Sequence, residues 1–181
     1  LAYTQEAVDS LEPEKMFESI AGDMNQTVMP GWEPERMAHV KELFDAYQNV
    51  TEETLFANLQ YFLERIMPVC DEYDIHMAIH PDDPAWSVFG LPRIITNKEN
   101  ILRMMKMVDN PHNGVTFCSG SYGTNLENDL IDMIHSLKGR IHFAHVRNLK
   151  FHSPTNFEEA AHLSSDGSFD MYEIMKALYD I

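Results

Sequence analysis

The sequence predicts an α/β protein, and three observations carry that prediction. From about residue 75 onward, short apolar runs alternate with amphipathic segments of helical period, giving a strand–helix–strand–helix–strand–helix succession. Strands connected through helices pair in parallel, because a parallel partner needs a long crossover. Each apolar run also stops at a metal-binding residue type, as parallel strands do when they deliver side chains to a common rim. Three such units fit part of a doubly wound sheet or part of a (β/α) barrel, and periodicity does not separate the two.

The elements follow in order. Residues 1–31 are polar and end at a Met29-Pro30-Gly31-Trp32 break. A helix is expected from Pro34 to Tyr47, with Met37, Val40, Phe44 and Tyr47 at helical spacing. A second starts near Thr51, with Glu52 and Glu53 where the helix dipole favours acids, a stripe of Leu55, Leu59, Phe62, Ile66 and Val69, and Pro68 to kink or end it. Residues 1–70 therefore read as a mainly helical segment, and residues 71–181 as the βαβαβα part. There the first strand is Ile75–Ile79, closed by the His80-Pro81-Asp82-Asp83-Pro84 loop. Thr96-x-x-Glu99 has the form of a capping box before a helix with Ile101, Met104, Met105 and Val108 on one face. Asn110-Pro111 and Asn113-Gly114 are turn signals. The second strand is Val115–Cys118, followed by Ser119-Gly120-Ser121-Tyr122-Gly123 and one helix carrying Leu126, Leu130, Ile134 and Leu137 up to Gly139. The third strand is Ile141–Val146, then a long polar loop, then a helix with Met171, Ile174, Met175 and Leu178.

Composition narrows the function. The chain has 181 residues, 44% of them hydrophobic, enough for a packed core. Asp and Glu outnumber Lys and Arg by 29 to 13, a formal charge of -16. Such a surface repels phosphate backbones and anionic lipids, so neither nucleic acid nor a membrane surface is an expected partner. No run approaches the roughly 18 apolar residues of a membrane span, and Leu1–Lys15 is unlike a signal peptide. Two cysteines, Cys70 and Cys118, make a disulfide scaffold improbable and point to the cytoplasm. Cys70 ends a helical stripe and reads as packing.

The strand ends carry the chemistry. His80, Cys118 and His145 close the three strands. Two imidazoles and a thiolate would suit Zn, Fe or Mn with an added carboxylate. A lone histidine is more often solvated, and a lone cysteine more often a small buried hydrophobe; it is their recurrence at successive strand ends that favours a metal. His142 competes with His145, but His145 stands nearer the strand's C-terminal end and shares a face with Arg147. Arg147 offers a two-pronged carboxylate contact or a surface ion pair, and Arg93 has the same ambiguity. Asp82 and Asp83 either orient the ligands or cap the loop. Glu159-x-x-His162 is a weak metal signal, and the Ser119–Gly123 run lacks any nucleotide signature. His39, His76, His112 and His135 receive no role.

Five runs resemble one family. They are Met77–Pro84, Phe89–Ile94, Asn113–Gly123, Arg140–Asn148 and Glu159–Leu163, with Asp170-Met171-Tyr172 after them. In this order they are similar to the mannonate dehydratases of hexuronate breakdown, which are similar in fold to xylose-isomerase-like TIM barrels. The resemblance implies a portion of a TIM (β/α)8 barrel, about three parallel strands preceded by a helical segment. It implies removal of water from D-mannonate to give 2-keto-3-deoxy-D-gluconate with Mn2+ or Fe2+, by a cytoplasmic protein that is a homo-oligomer (dimer) at full length. It makes His80, Cys118 and His145 metal ligands, and Arg147, Arg93, Asn148, Glu159 and His162 substrate-binding residues. The family's Pro-Asp-His-Gly run, with a further ligand and the proton-transfer histidine, has no match here, so the chain is expected to be an incomplete and inactive piece. A sugar isomerase or epimerase on the same scaffold and a non-catalytic metal-binding fragment are the alternatives.

Overall fold

A computed structural model describes residues 42–44, 46–88 and 90–181. The chain divides into two compact units, Leu1–Val50 and Thr51–Ile181. The division falls ahead of the helix that opens at Glu52, whereas the sequence reading set it between residues 70 and 71, within that helix's last turn. The helix expected over residues 34–47 lies largely outside the described residues, of which 42–44 and 46–47 are helical.

Helix α1, Glu52–Tyr73, begins where Thr51 accepts the Thr54 N–H on its hydroxyl at 3.2 Å. It runs through Pro68, against the expectation that this residue kinks or ends it. Proline removes one hydrogen bond and crowds the preceding turn, but Leu63, Met67 and Cys70 on either side are buried and hold the helix in place. Phe56 completes that face, while Phe62 and Val69 point outward. The helix ends at Asp74 in the left-handed conformation, φ 53°.

Strands β1 (Met77–Ile79), β2 (Asn113–Cys118) and β3 (Ile141–His145) form one sheet in sequential order, with both pairings parallel. β1 starts later than expected and β2 earlier. Asn113-Gly114 is the opening of β2 and not a turn. Gly114 is required there: a Cβ would stand 2.4 Å from the Arg140 carbonyl oxygen and 2.5 Å from the His142 ring. β2 is buried along its whole length, as the centre of a parallel sheet should be. Val115 and Phe117 meet Ile101, Met104, Ile134 and Ile174 in the core between the sheet and its helices.

Helix α2 (Lys98–Met107) is capped by Asn97, which accepts the Asn100 N–H at 2.9 Å. The Thr96–Glu99 box is not used, because with Asn97 as cap Glu99 falls at the second helical position and not the third. The single helix expected after β2 is two, α3 (Ser119–Thr124) and α4 (Leu130–Ser136). Asp129 accepts the Ile131 and Asp132 N–H groups and starts the second one, leaving Leu126 exposed in the link. Helix α4 ends at Ser136 with Leu137 as its cap, earlier than the stop expected at Gly139, which lies in the turn that follows with φ 75°.

The expected polar loop after β3 is an antiparallel hairpin, β4 (Asn148–Ser153) and β5 (Asn156–Ala160). Its apolar side is aromatic: Phe151 lies 5.2 Å from Phe157, and Phe157 stands edge-on to Trp86 at 6.0 Å between ring centroids. Helix α5 (Met171–Asp180) buries Met171, Ile174 and Ala177, with Met175 turned outward. Consecutive parallel strands in chain order, with helices between them and one more after the hairpin, are consistent with part of a TIM-type (β/α) barrel. The predicted class holds.

Candidate metal centre

The parallel register brings the strand ends together. Cys118 pairs directly with His145 across β2 and β3, and His80 follows the last residue of β1. His145 Nδ1 lies 3.5 Å from Cys118 Sγ and 3.4 Å from His80 Nε2. One ligand atom from each residue falls within 4.8 Å of the other two. Cys118 is fully buried, while both histidines are open to solvent from the rim.

The chemistry of these donors suits a divalent ion. His80 Nδ1–H donates to the Pro81 carbonyl at 2.8 Å, which fixes the tautomer and leaves Nε2 as a free lone pair facing His145. Cys118 caps α3, and its sulfur accepts the Ser121 N–H at 3.4 Å, with the Ser121 hydroxyl 3.2 Å away. Imidazole and thiolate together form a borderline-soft set. An ion of that class fits these residues.

Around this triad runs a charged network. Arg147 Nη2 reaches Asp83 Oδ2 at 2.5 Å and the Ser121 hydroxyl at 3.2 Å, while Nη1 reaches Glu159 Oε1 at 2.8 Å. Burial works against the charge on Arg147, but the sulfur of Cys118 together with Asp83 and Glu159 outweighs it and holds the guanidinium above its ordinary range. Its Nε is buried with no hydrogen-bond partner among the described residues. Gly120 makes this position possible, since a Cβ there would meet Arg147 Nε at 2.5 Å and its Cβ at 2.9 Å. Ser119 locks the exit of β3 to α3: its hydroxyl donates to the Arg147 carbonyl at 2.7 Å and accepts the Arg147 N–H at 2.8 Å. Beneath the triad Tyr122 is buried, and burial pushes its phenol up, with the Cys118 and Asp82 charges adding to the effect.

The residues singled out in the sequence fall into two groups. Asp83, Arg147 and Glu159 join the network around the triad. The others grip backbone. Asp82 accepts the Ile95 N–H at 2.9 Å, and Arg93 donates to the Pro84 carbonyl at 2.6 Å. Asn148 donates to the Ala161 and Leu163 carbonyls at 3.1 and 3.3 Å, and His162 Nε2–H donates to the Val146 carbonyl at 3.0 Å. Glu159 lies on β5 and His162 beyond it, so the two do not share a helix face. Ser119, Gly120 and Ser121 were missed as site residues. Their signal was the small-residue run directly behind Cys118.

Known proteins match this chain along its whole length. The family model for D-mannonate dehydratase (UxuA) matches residues 1–181. A mannonate dehydratase from Brachyspira hyodysenteriae is 61% identical over the whole chain, which spans 51% of that relative. One from Thermotoga maritima is 53% identical, again over the whole chain and 51% of the relative. The crystal structure of mannonate dehydratase from Streptococcus suis serotype2 superposes with a TM-score of 0.73 at 43% identity, covering 78% of this chain and 41% of that one. The chain thus spans about half the length of the curated relatives it matches. With the whole sequence matched and the same α/β fold recovered, the chain belongs to the D-mannonate dehydratase (UxuA) family.

Proposed function

We propose that the intact protein removes water from D-mannonate to give 2-keto-3-deoxy-D-gluconate, with Mn2+ or Fe2+ held by His80, Cys118 and His145. The observation that carries this reading is the convergence of those three donors at one strand-end rim in a chain of this family. The proton to be lost sits on C2, beside an ionised carboxylate, where carbon acids are very weak. A divalent ion would supply Lewis-acid stabilisation of the negative charge that develops there.

The chain's own residues supply the rest. His80 is oriented by the Pro81 carbonyl, and Cys118 is held by Ser121. Arg147 is the cation of this rim, and in the proposal it receives the carboxylate of the sugar acid. Glu159, exposed on the hairpin, is the partner it would exchange for substrate, while Asp83 keeps the guanidinium in position. In a chain of charge -16, that local positive charge offsets the general repulsion of an anionic substrate. Arg93, Asn148 and His162 then act through the loops whose backbone they grip. We extend the same reading to hexuronate breakdown, a cytoplasmic setting and a homodimer. The acidic surface, and the lack among the described residues of any helix long and apolar enough to cross a membrane, support a small-molecule enzyme without nucleic-acid or membrane partners.

The test is to incubate the intact, metal-loaded protein separately with D-mannonate and with aldoses. Formation of a 2-keto-3-deoxy acid from the aldonate is the expected result. Interconversion of aldose and ketose without that product would replace the dehydratase with an isomerase. Cys118→Ser should lower kcat/KM by more than about 100-fold, since loss of outer-shell partners alone costs 10–100-fold.

A further inference from the structure

A second group of metal-binding side chains lies at the other end of the same sheet. His76 immediately precedes β1 and His112 immediately precedes β2, and the two strand entries are joined by the Met77 N–H donating to the His112 carbonyl at 2.8 Å. Asp74, the residue that ends α1, stands beside them. His112 Nε2 is 3.1 Å from Asp74 Oδ1, and His76 Nδ1 is 4.0 Å from the same oxygen. One donor atom from each residue falls within 4.8 Å of the other two. Donors around a tetrahedral ion with bonds of about 2.0–2.1 Å are roughly 3.3 Å apart. The observed separations bracket that value, and the Asp74 and His76 side chains are exposed.

This cluster has the outer support that metal-bound histidines show. His112 Nδ1–H donates to Asp71 Oδ1 at 2.8 Å, and Asp71 is itself held by the Asn110 amide at 2.9 and 3.0 Å. A carboxylate on one ring nitrogen fixes the tautomer in which the other presents a lone pair. Here that other nitrogen meets a second carboxylate, and the Asp74 and Asp71 hydrogen bonds together raise the pKa of His112, so a cation bound here takes the place of the proton on Nε2. An independent observation lies next to it. His142 Nδ1–H donates to the Met77 carbonyl at 2.7 Å, which leaves Nε2 as an acceptor, buried and without a partner among the described residues. Its ring stands edge-on to His76, 4.8 Å between centroids.

We propose that Asp74, His76 and His112 bind a divalent ion of the borderline class, Zn2+ or a close neighbour, at the N-terminal rim of the sheet. Two imidazoles and one carboxylate suit such an ion and not Mg2+, which prefers oxygen and keeps its water. The site lies at the end of the strands opposite the Cys118 rim, so its role is structural: the ion ties the end of α1 and the entry of β1 to the turn before β2.

The experiment strips the intact protein with chelator, reloads it with Zn2+ or Co2+, dialyses it and counts metal per chain. The parent protein should retain two equivalents. His76→Gln should retain one, and so should Asp74→Asn, whose side chain still suits the left-handed helix end. The Co2+ forms of both variants should keep the thiolate-to-metal absorption that reports Cys118. Equal metal content in parent and variants would overturn the proposal. So would loss of the thiolate absorption together with the missing equivalent, because the ion lost would then be the one at the opposite rim. A parent that holds one ion and shows the thiolate band would sink this site while leaving the dehydratase reading intact.

Discussion

The sulfur of Cys118 shows how much of the candidate centre is built by residues outside the triad. It receives the Ser121 N–H, and Ser121 in turn meets Asp83, which grips Arg147. Asp83→Asn keeps the shape but removes one of the two charges that hold Arg147, leaving Glu159 as the one carboxylate on its fork. A fall in divalent-ion affinity of roughly 10–100-fold is expected, measured by competition with a chromophoric chelator; unchanged affinity would separate the network from the centre. Gly120→Ala acts more bluntly. Its methyl would overlap both the root and the head of Arg147, so the arginine has to leave. KM for the sugar acid should rise about tenfold or more with the bound metal retained, the loss of about 1.4 kcal/mol or more that removing one charged contact entails. The three candidate ligands were legible in the sequence because each stands at or next to the end of an apolar run, His80 before Pro81, Cys118 before Ser119 and His145 with only Val146 between it and the break at Arg147. The partners of Arg147 were not, since Asp83 lies 64 residues away and nothing local records that approach.

At the scale of elements, tertiary packing decided where local signals conflicted. Pro68 is exposed, whereas Met67 and Cys70 beside it are buried, so the helix persists despite the proline. Pro68→Ala should therefore stabilise the protein, because it restores a backbone hydrogen bond and relieves the crowding without loss of buried surface. The gain should be about 1–3 kcal/mol, read as a raised denaturation midpoint at constant m-value. Asn97→Ala should cost about 1 kcal/mol, while Thr96→Val, which removes the hydroxyl but keeps the shape, leaves the cap of helix α2 intact; this distinguishes the observed cap from the one the sequence pattern favours. The hairpin was misread as loop because its strands carry charge on one side and few apolar residues on the other. Leu149, Phe151 and Phe157 alternate correctly, but their partners, Trp86 and Phe169, come from distant segments. A strand that depends on distant aromatics leaves only a faint local trace.

For the whole molecule, the same strands end in one candidate ion centre and begin at another. β2 spans six residues, roughly 20 Å at 3.3 Å per residue. Sites that far apart with no shared partner should contribute independently to stability. An ion present at about 100 times its dissociation constant adds roughly 2.7 kcal/mol, which for a protein of this size is about 5–11 °C in Tm. Zn2+ should therefore raise the Tm of the stripped protein in two separable parts, one lost in Cys118→Ser and the other in His76→Gln. The doubly substituted protein should show the sum of the two losses to within about 0.5 kcal/mol. A shortfall much larger than that would mean that the two rims respond as one unit. β2, rigid and buried from end to end, would then transmit the occupancy of one ion to the other and would not merely hold them apart.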